Sequence, residues 1–463
     1  LAEDLTMRFK LENLGCLKDV DIELGDLTII CGKNNTGKTY INYAIYGFLS
    51  IWDSIIDFNL DSEIESLFQE GTVSIDLSSF EDNFIQALNK SVNNYSKSIY
   101  KMFSVDEDFL KNANFNVIPS EYTPNYSQEI SSNFFSQKQK QFLKIIKPKD
   151  SSIFEISLLI EDSLGEDKKE PTPPLVMIRD VINRTLAKAF SGYYFPEPFI
   201  ITSERTGVSL FYKELDISKN IMIEQLKKKS KIEPFDFLNM LNDSLSRYSK
   251  PIKDEIDFVR DLDNIQKNKS PLRETHPEIL NIFKEILGGE YEVQDEGSIW
   301  FSFDQDGISH QVPLHASSSS VKSLVDLNFY IKHIAKPGDL LIIDEPELNL
   351  HPANQRKLAK LFTRLMKAGV KLLMTTHSDY LIKEFNNLIL LNYLFQGKEK
   401  LMEKYNYTED DILDKNKVKV YISDQNTLTP ATITDLGIEV GSFDQEIIEM
   451  NNFFNEATVN YDY

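Results

Sequence analysis

Leu27-Thr28-Ile29-Ile30-Cys31-Gly32-Lys33-Asn34-Asn35-Thr36-Gly37-Lys38-Thr39 is the stretch on which the fold turns. Its first five residues are almost continuously apolar, which predicts a strand buried on both faces. Gly32–Thr39 then satisfies G-x-x-x-x-G-K-[ST]. Ile41, Ala44, Ile45 and Phe48 fall at helical spacing in a helix predicted from Lys38 to about Phe58. Strand, glycine turn and helix in that order form the context in which this pattern cradles a phosphate. The glycines let the backbone fold around the anion so that successive N–H groups point inward, and the helix N-terminus adds partial positive charge. Lys38 is placed to reach β- and γ-phosphates, and the Thr39 hydroxyl to ligate Mg²⁺. The nucleotide-binding candidates are Gly32, Lys33, Asn34, Asn35, Thr36, Gly37, Lys38 and Thr39, with ATP and Mg²⁺ as ligands.

Two later stretches belong with this loop. Leu340-Leu341-Ile342-Ile343-Asp344-Glu345-Pro346 ends an apolar strand on two acids, at the carboxyl edge where open α/β sheets bind ligands. Asp344 is expected to hold Mg²⁺ through water, and Glu345 to act as general base. Adjacent acids after a strand serve equally well as a helix N-cap, so the phosphate loop upstream is what favours the catalytic reading. Leu372-Leu373-Met374-Thr375-Thr376-His377-Ser378 ends another strand on His377, either a hydrogen-bond donor near the γ-phosphate or a structural histidine.

Outward from these motifs the chain divides into five segments. Residues 1–58 carry strands over 7–11 and 20–24 besides the phosphate loop. Residues 59–196 read as a mostly helical insertion, with helical stretches at Phe80–Phe109 and Ser131–Ile146 and an exposed loop at 168–174. Residues 197–210 hold a return strand, Phe199–Ser203. Residues 211–287 read as a second helical arm. Residues 288–463 contain a hairpin turning at Asp306-Gly307, a helix over Val321–Ala335, the two strand motifs, a helix from Pro352 to about Ala368, a β segment at Val418–Ile422 and a closing helix near Phe443–Asn455. Helices alternating with apolar strands predict an α/β fold on a parallel sheet with crossover helices, carrying two mainly helical insertions. The one dense basic run, Lys227-Lys228-Lys229-Ser230-Lys231, is either a solvated face or a contact for phosphate or an acidic partner.

Composition bounds the function. The 463 residues carry 50 Lys+Arg against 72 Asp+Glu, a net charge of −22. A surface that acidic repels phosphate backbones on average, which excludes non-specific coating of nucleic acid and leaves only a local basic cleft for direct binding. Two cysteines, Cys16 and Cys31, are too few for a disulfide framework or a zinc site and fit a reducing cytosol. No apolar run reaches membrane-spanning length, and Leu1-Ala2-Glu3-Asp4 is no signal peptide, so the expected location is cytoplasmic.

Taken together, Gly32–Thr39, Ile343–Pro352 and Thr375–Ser378 resemble the ABC-type ATPases of the SMC, RecF and OLD group. The resemblance covers the ATPase lobes and not the insertions. It implies that Asn349-Leu350-His351 forms a D-loop facing a second protomer. It also implies that Ser317, Ser318 and Ser319, opening a helix, stand at the signature position that caps the partner's γ-phosphate, although the usual glycines are missing. A plain serine-rich helix cap is the other reading. The metal-contacting glutamine of the family has no counterpart in Ser203-Glu204-Arg205-Thr206-Gly207, where Arg205 is expected to meet nucleotide or a neighbouring chain. Neither a zinc hook, a long heptad run, nor a Toprim acidic pattern after His377 is present. The chain therefore looks like the ATPase subunit of two-component anti-phage systems such as PARIS or Septu. Such a subunit is a homodimer or ring of dimers that holds and releases a separate effector, in the manner of a toxin–antitoxin pair. The effector is expected to be a Toprim-like or HNH nuclease, and the trigger an acidic phage product. The alternative is a RecF-like repair ATPase binding DNA ends, against which the acidity counts.

Overall fold

In a computed structural model the structure is described for residues 7–119, 126–127, 129–135, 141–159, 175–192, 194–213, 248–294, 297–439 and 441–459. Lys227–Lys231 and the loop at 168–174 lie outside the described residues. Two compact units divide the chain. The larger is built from Phe9–Gly47, Ile99–Asn114 and Glu197–Tyr463, and the other from Phe48–Ser98 and Phe115–Pro196 with residues 7 and 8.

In the larger unit eight strands carry the site: β1 (Met7–Leu14), β2 (Leu17–Leu24), β3 (Leu27–Gly32), β4 (Pro198–Ile201), β5 (Leu340–Asp344), β6 (Lys371–Thr376), β7 (Val418–Asp424) and β8 (Thr427–Pro430). Their order in a large mixed sheet is β1-β2-β8-β7-β3-β6-β5-β4. β3 pairs in parallel with β7 and β6, β6 with β5, and β5 with β4, while β7 and β8 are antiparallel. Every residue of β3 and β5 is buried, as their almost continuously apolar sequence requires of central strands. In β1, by contrast, Met7, Phe9 and Leu11 are buried while Arg8 is exposed, the period-two pattern of a strand with one wet face.

Three helices flank the strand motifs: α1 (Lys38–Leu49), α2 (Pro352–Lys367) and α3 (Asp379–Leu390). α2 has Pro352 in its first turn, pre-set for helix entry, and buries Leu358, Leu361, Phe362 and Leu365. Full burial of each such side chain contributes roughly 1.5–3 kcal/mol. Two strand registers then matter for chemistry. Thr375 of β6 lies opposite Asp344 of β5, and Thr376 lies opposite Cys31 of β3. The ends of β3, β6 and β5 therefore finish level at one edge.

The hairpin is present over Ser298–Gln305 and Ile308–Pro313, with φ of +51° at Asp306 and +77° at Gly307, as a tight two-residue turn requires. Glu290–Gln294 adds a third strand to it. Within 248–287 the described chain is helical, chiefly Lys250–Arg260 and Pro277–Leu287. The single helix expected over Val321–Ala335 is instead three pieces: Ser319–Ser323, Val325–Phe329 and a π turn at Tyr330–Ile334. At the first break the carbonyl of Ser323 accepts from the Arg205 guanidinium. Residues 99–114, expected in the first insertion, belong to the larger unit. There Phe103 stacks on Tyr40 and Tyr43 of α1, with ring centroids 5.0 and 6.2 Å apart.

The smaller unit corrects a second expectation. A helix was predicted over Ser131–Ile146, but Ile130–Phe135 and Gln141–Lys147 are strands. With Thr72–Asp76 and Ile153–Leu158 they make a four-stranded antiparallel sheet. The reason is period two: Phe154 and Ile156 are buried beside exposed Glu155, and Leu143 and Ile145 flank half-buried Lys144. Buried Lys147, its ammonium donating to the Tyr126 carbonyl at 2.6 Å, masks that alternation in the sequence. Among the described residues the longer helices of this unit are Asp61–Glu70, Glu81–Ser98 and Leu175–Ser191, so the unit combines helices with a sheet and is not helical throughout. The helix expected to run to Phe58 ends at Leu49, where the Ile51 N–H turns back to the Phe48 carbonyl at 3.1 Å.

Candidate functional site

The phosphate loop is folded as its glycines demand. Gly32 lies against β7 so closely that a Cβ there would meet the Ser423 carbonyl oxygen at 2.4 Å, and Gly37, at φ +92°, would meet Leu17 at 2.6 Å. The Ser423 hydroxyl donates to the Thr36 carbonyl at 3.0 Å, and the Thr36 hydroxyl donates to the Lys33 carbonyl at 2.9 Å. Lys38 is only 6% exposed, and its ammonium donates to the carbonyls of Gly32 at 3.0 Å and Lys33 at 2.7 Å. Burial pulls Lys38 below the ordinary lysine value, and the charges of Glu345 and Asp344 oppose that pull.

Asp344, at the end of β5, is 1% exposed. One carboxyl oxygen accepts from the Asn42 amide and from the Thr375 hydroxyl, the latter at 3.1 Å. The other oxygen is buried without a hydrogen-bond partner. Burial pushes this carboxyl up to about 6, while the hydrogen bonds from Thr375 and Asn42, and more weakly the nearby Thr39 hydroxyl, pull it down. An orphaned carboxylate oxygen in the dark beside a hydroxyl is what a divalent cation would complete, so Asp344 and Thr39 fit Mg²⁺.

Glu345 follows with φ of +47°, a conformation that costs a residue with a side chain on the order of 1–3 kcal/mol. Its N–H donates to the Thr375 carbonyl at 3.1 Å and hydroxyl at 3.2 Å, and its carbonyl accepts from Arg205 at 2.7 Å. The carboxylate stands 3.4 Å from His377 Nε2 and is about one-third exposed, at 35%. The hydrogen bond with His377 holds it below the usual glutamate value against the opposing effect of burial, so it is ionised near neutrality. His377 is itself positioned by Glu347, which accepts from the His377 N–H at 2.7 Å and the Thr376 hydroxyl at 2.9 Å. Burial raises Glu347.

Lys38, Thr39, Asp344, Glu345 and His377 are thus brought to one sheet edge. The serines are not brought to it. Ser317 donates to the Pro313 carbonyl at 3.3 Å, Ser318 caps Val321 at 3.3 Å, and Ser318 and Ser319 are exposed. Asn349 is exposed at φ +64°, and His351 caps α2 by accepting from the Ala353 N–H at 3.2 Å. Arg205 corrects an expectation: it is 1% exposed and bonded to backbone, not turned toward a ligand or a neighbour. Glu204, in the Ser203–Gly207 stretch that lacks a glutamine, accepts from the Tyr43 hydroxyl at 3.3 Å, and its charge helps raise Asp344.

Asn42, Thr375, Ser423 and Glu347 escaped the sequence reading. Asn42 left a signal, a polar residue one turn after Lys38 between apolar Ile41 and Tyr43, buried completely. Thr375 and Ser423 left none, because their partners are fixed by strand pairing.

The model of the AAA ATPase domain family matches residues 7–382. Over 57 residues the chain is 40% identical to the OLD nuclease of Thermus scotoductus, a match spanning 12% of this chain and 11% of that protein. Similar solved structures include a Pyrococcus furiosus Smc head domain with an extended coiled coil, bound to the C-terminal domain of ScpA. It has 15% identity, 96% and 98% coverage of the two chains and a TM-score of 0.32. The SMC head domain of Thermotoga maritima has 12% identity, 94% and 100% coverage and a TM-score of 0.28. No helix among the described residues is long and apolar enough to cross a membrane.

Proposed function

The chain belongs to the AAA ATPase domain family, and on that premise we propose that it is a Mg²⁺-dependent ATPase subunit of a cytoplasmic anti-phage complex of the OLD-like branch. One observation carries the reading. The strand registers bring the Lys38 ammonium, the partnerless oxygen of Asp344 and the Glu345–His377 pair to a single edge. In this reading the loop N–H groups and Lys38 hold the β- and γ-phosphates, and Glu345 takes the proton from the attacking water, yielding ADP and phosphate. His377 keeps that carboxylate ionised and aimed. Asp344 and Thr39 would hold Mg²⁺, which when bound withdraws charge from the phosphate oxygens.

Ser317–Ser319, of which Ser318 and Ser319 are exposed, and Asn349–His351 are proposed to face a second copy of the chain across ATP. At micromolar concentration, light scattering is expected to report a dimer or a larger even-numbered assembly with ATP, and a monomer with and without ATP would contradict this. The effector is proposed to be a separate protein, a Toprim-like or HNH nuclease. DNA and RNA cleavage assays of the purified chain alone should therefore be blank and become positive with the product of the neighbouring gene. Cleavage by the lone chain that survives loss of Asp344 and Glu345 would refute the division of labour.

A further inference from the structure

Arg205 is the largest fully buried side chain among the described residues, and its hydrogen bonds run to main-chain oxygens of three separate stretches. Nε donates to Ser323 at 3.0 Å, one terminal nitrogen to Thr202 at 2.9 Å and Asp344 at 2.8 Å, and the other to Glu345 at 2.7 Å. Ser323 closes the serine-rich helix, Thr202 follows β4, and Asp344 and Glu345 end β5. A planar fork of five donors can span these positions at once, whereas an ammonium on a flexible stem cannot.

Burying a guanidinium among carbonyls is costly, and the surroundings compensate it. Glu255 and Asp326 are buried nearby as a pair, both raised by burial, and whatever negative charge the pair carries favours the Arg205 guanidinium. Glu255 in turn accepts from the N–H and hydroxyl of Thr202, fixing one of the acceptors. The Glu345 peptide is therefore gripped from both sides, its N–H by Thr375 and its carbonyl by Arg205, in a left-handed conformation that it would otherwise leave.

We infer that Arg205 is a positioning residue: it holds the Glu345 main chain in this conformation and ties it to the Ser319–Ser323 helix, so that displacement of that helix moves the general base. The inference rests on the proposed role of Glu345 and is separable from it by a mutant cycle. Arg205→Lys keeps the charge and loses the fork. Misplacing a reacting group by about 1 Å costs on the order of 10²-fold, so kcat should fall by about that factor while the Kd for ATP stays within about threefold. On a Glu345→Gln background Arg205→Lys should cost less than about threefold more, since both act at one step. Wild-type turnover in Arg205→Lys, loss of ATP binding in parallel with turnover, or an undiminished further loss on the Glu345→Gln background would each overturn it. Undiminished turnover in Glu345→Gln alone would instead remove the general-base reading, and this inference with it. Arg205→Gln, neutral and so less dependent on Glu255 and Asp326, is the second variant and should show the same pattern. If neither variant melts cooperatively, Arg205 is a structural residue only and the inference falls.

Discussion

Glu345→Gln is expected to bind ATP and barely turn it over. The glutamine keeps the shape of the side chain, and the backbone grip of Thr375 and Arg205 is untouched, so the phosphate loop has no reason to change. What disappears is the ability to accept a proton. A positioned base contributes typically about 10²–10⁴-fold, and kcat should fall within that range. ATP affinity should hold or tighten, because a carboxylate that repels the γ-phosphate has been neutralised. Steady-state phosphate release together with equilibrium binding of a fluorescent ATP analogue checks both halves. Turnover within about threefold of wild type would move the general base elsewhere.

Lys38→Ala should lose binding and turnover together. Charged hydrogen bonds contribute about 1.5–3 kcal/mol each, and removing two toward phosphate oxygens should weaken ATP by roughly 10²–10⁴-fold. The same ammonium holds the loop in its folded form by donating to the carbonyls of Gly32 and Lys33, which lie in a part of the chain where Gly32 has no room to move against Ser423. The variant should therefore also show a looser loop, read as faster amide exchange over 32–37, with little change across β5 and β6. Retention of ATP binding in Lys38→Ala would mean that the loop holds something other than a nucleotide phosphate.

These two residues were legible in the sequence because their chemistry is local. An apolar strand, a glycine turn and a helix are neighbours along the chain, so Gly32–Thr39 could be read without any tertiary information, and so could the acids that end β5. Parts that depend on pairing were not legible. Thr375 touches Asp344 only because of the β5–β6 register, and Ser423 reaches Thr36 only because β7 lies beside β3. The expectation that Arg205 meets nucleotide or a neighbour follows from its place in the stretch that the resemblance aligns with a metal-contacting loop, and nothing local betrays four carbonyls converging on it. In the smaller unit, tertiary burial of Lys147 broke the alternation that would have marked a strand. The split of Val321–Ala335 has the same origin, a helix interrupted where the Ser323 carbonyl is taken by a distant guanidinium.

The central claim is that the Lys38–Asp344–Glu345 edge hydrolyses ATP. Its most direct test is phosphate release by the purified wild-type chain across a titration of ATP, with Mg²⁺ present and with it chelated. The account predicts saturable release that requires Mg²⁺ and is abolished in Lys38→Ala. Release that is absent at saturating Mg²⁺–ATP while the nucleotide is bound, or release that persists undiminished in Lys38→Ala, would contradict it.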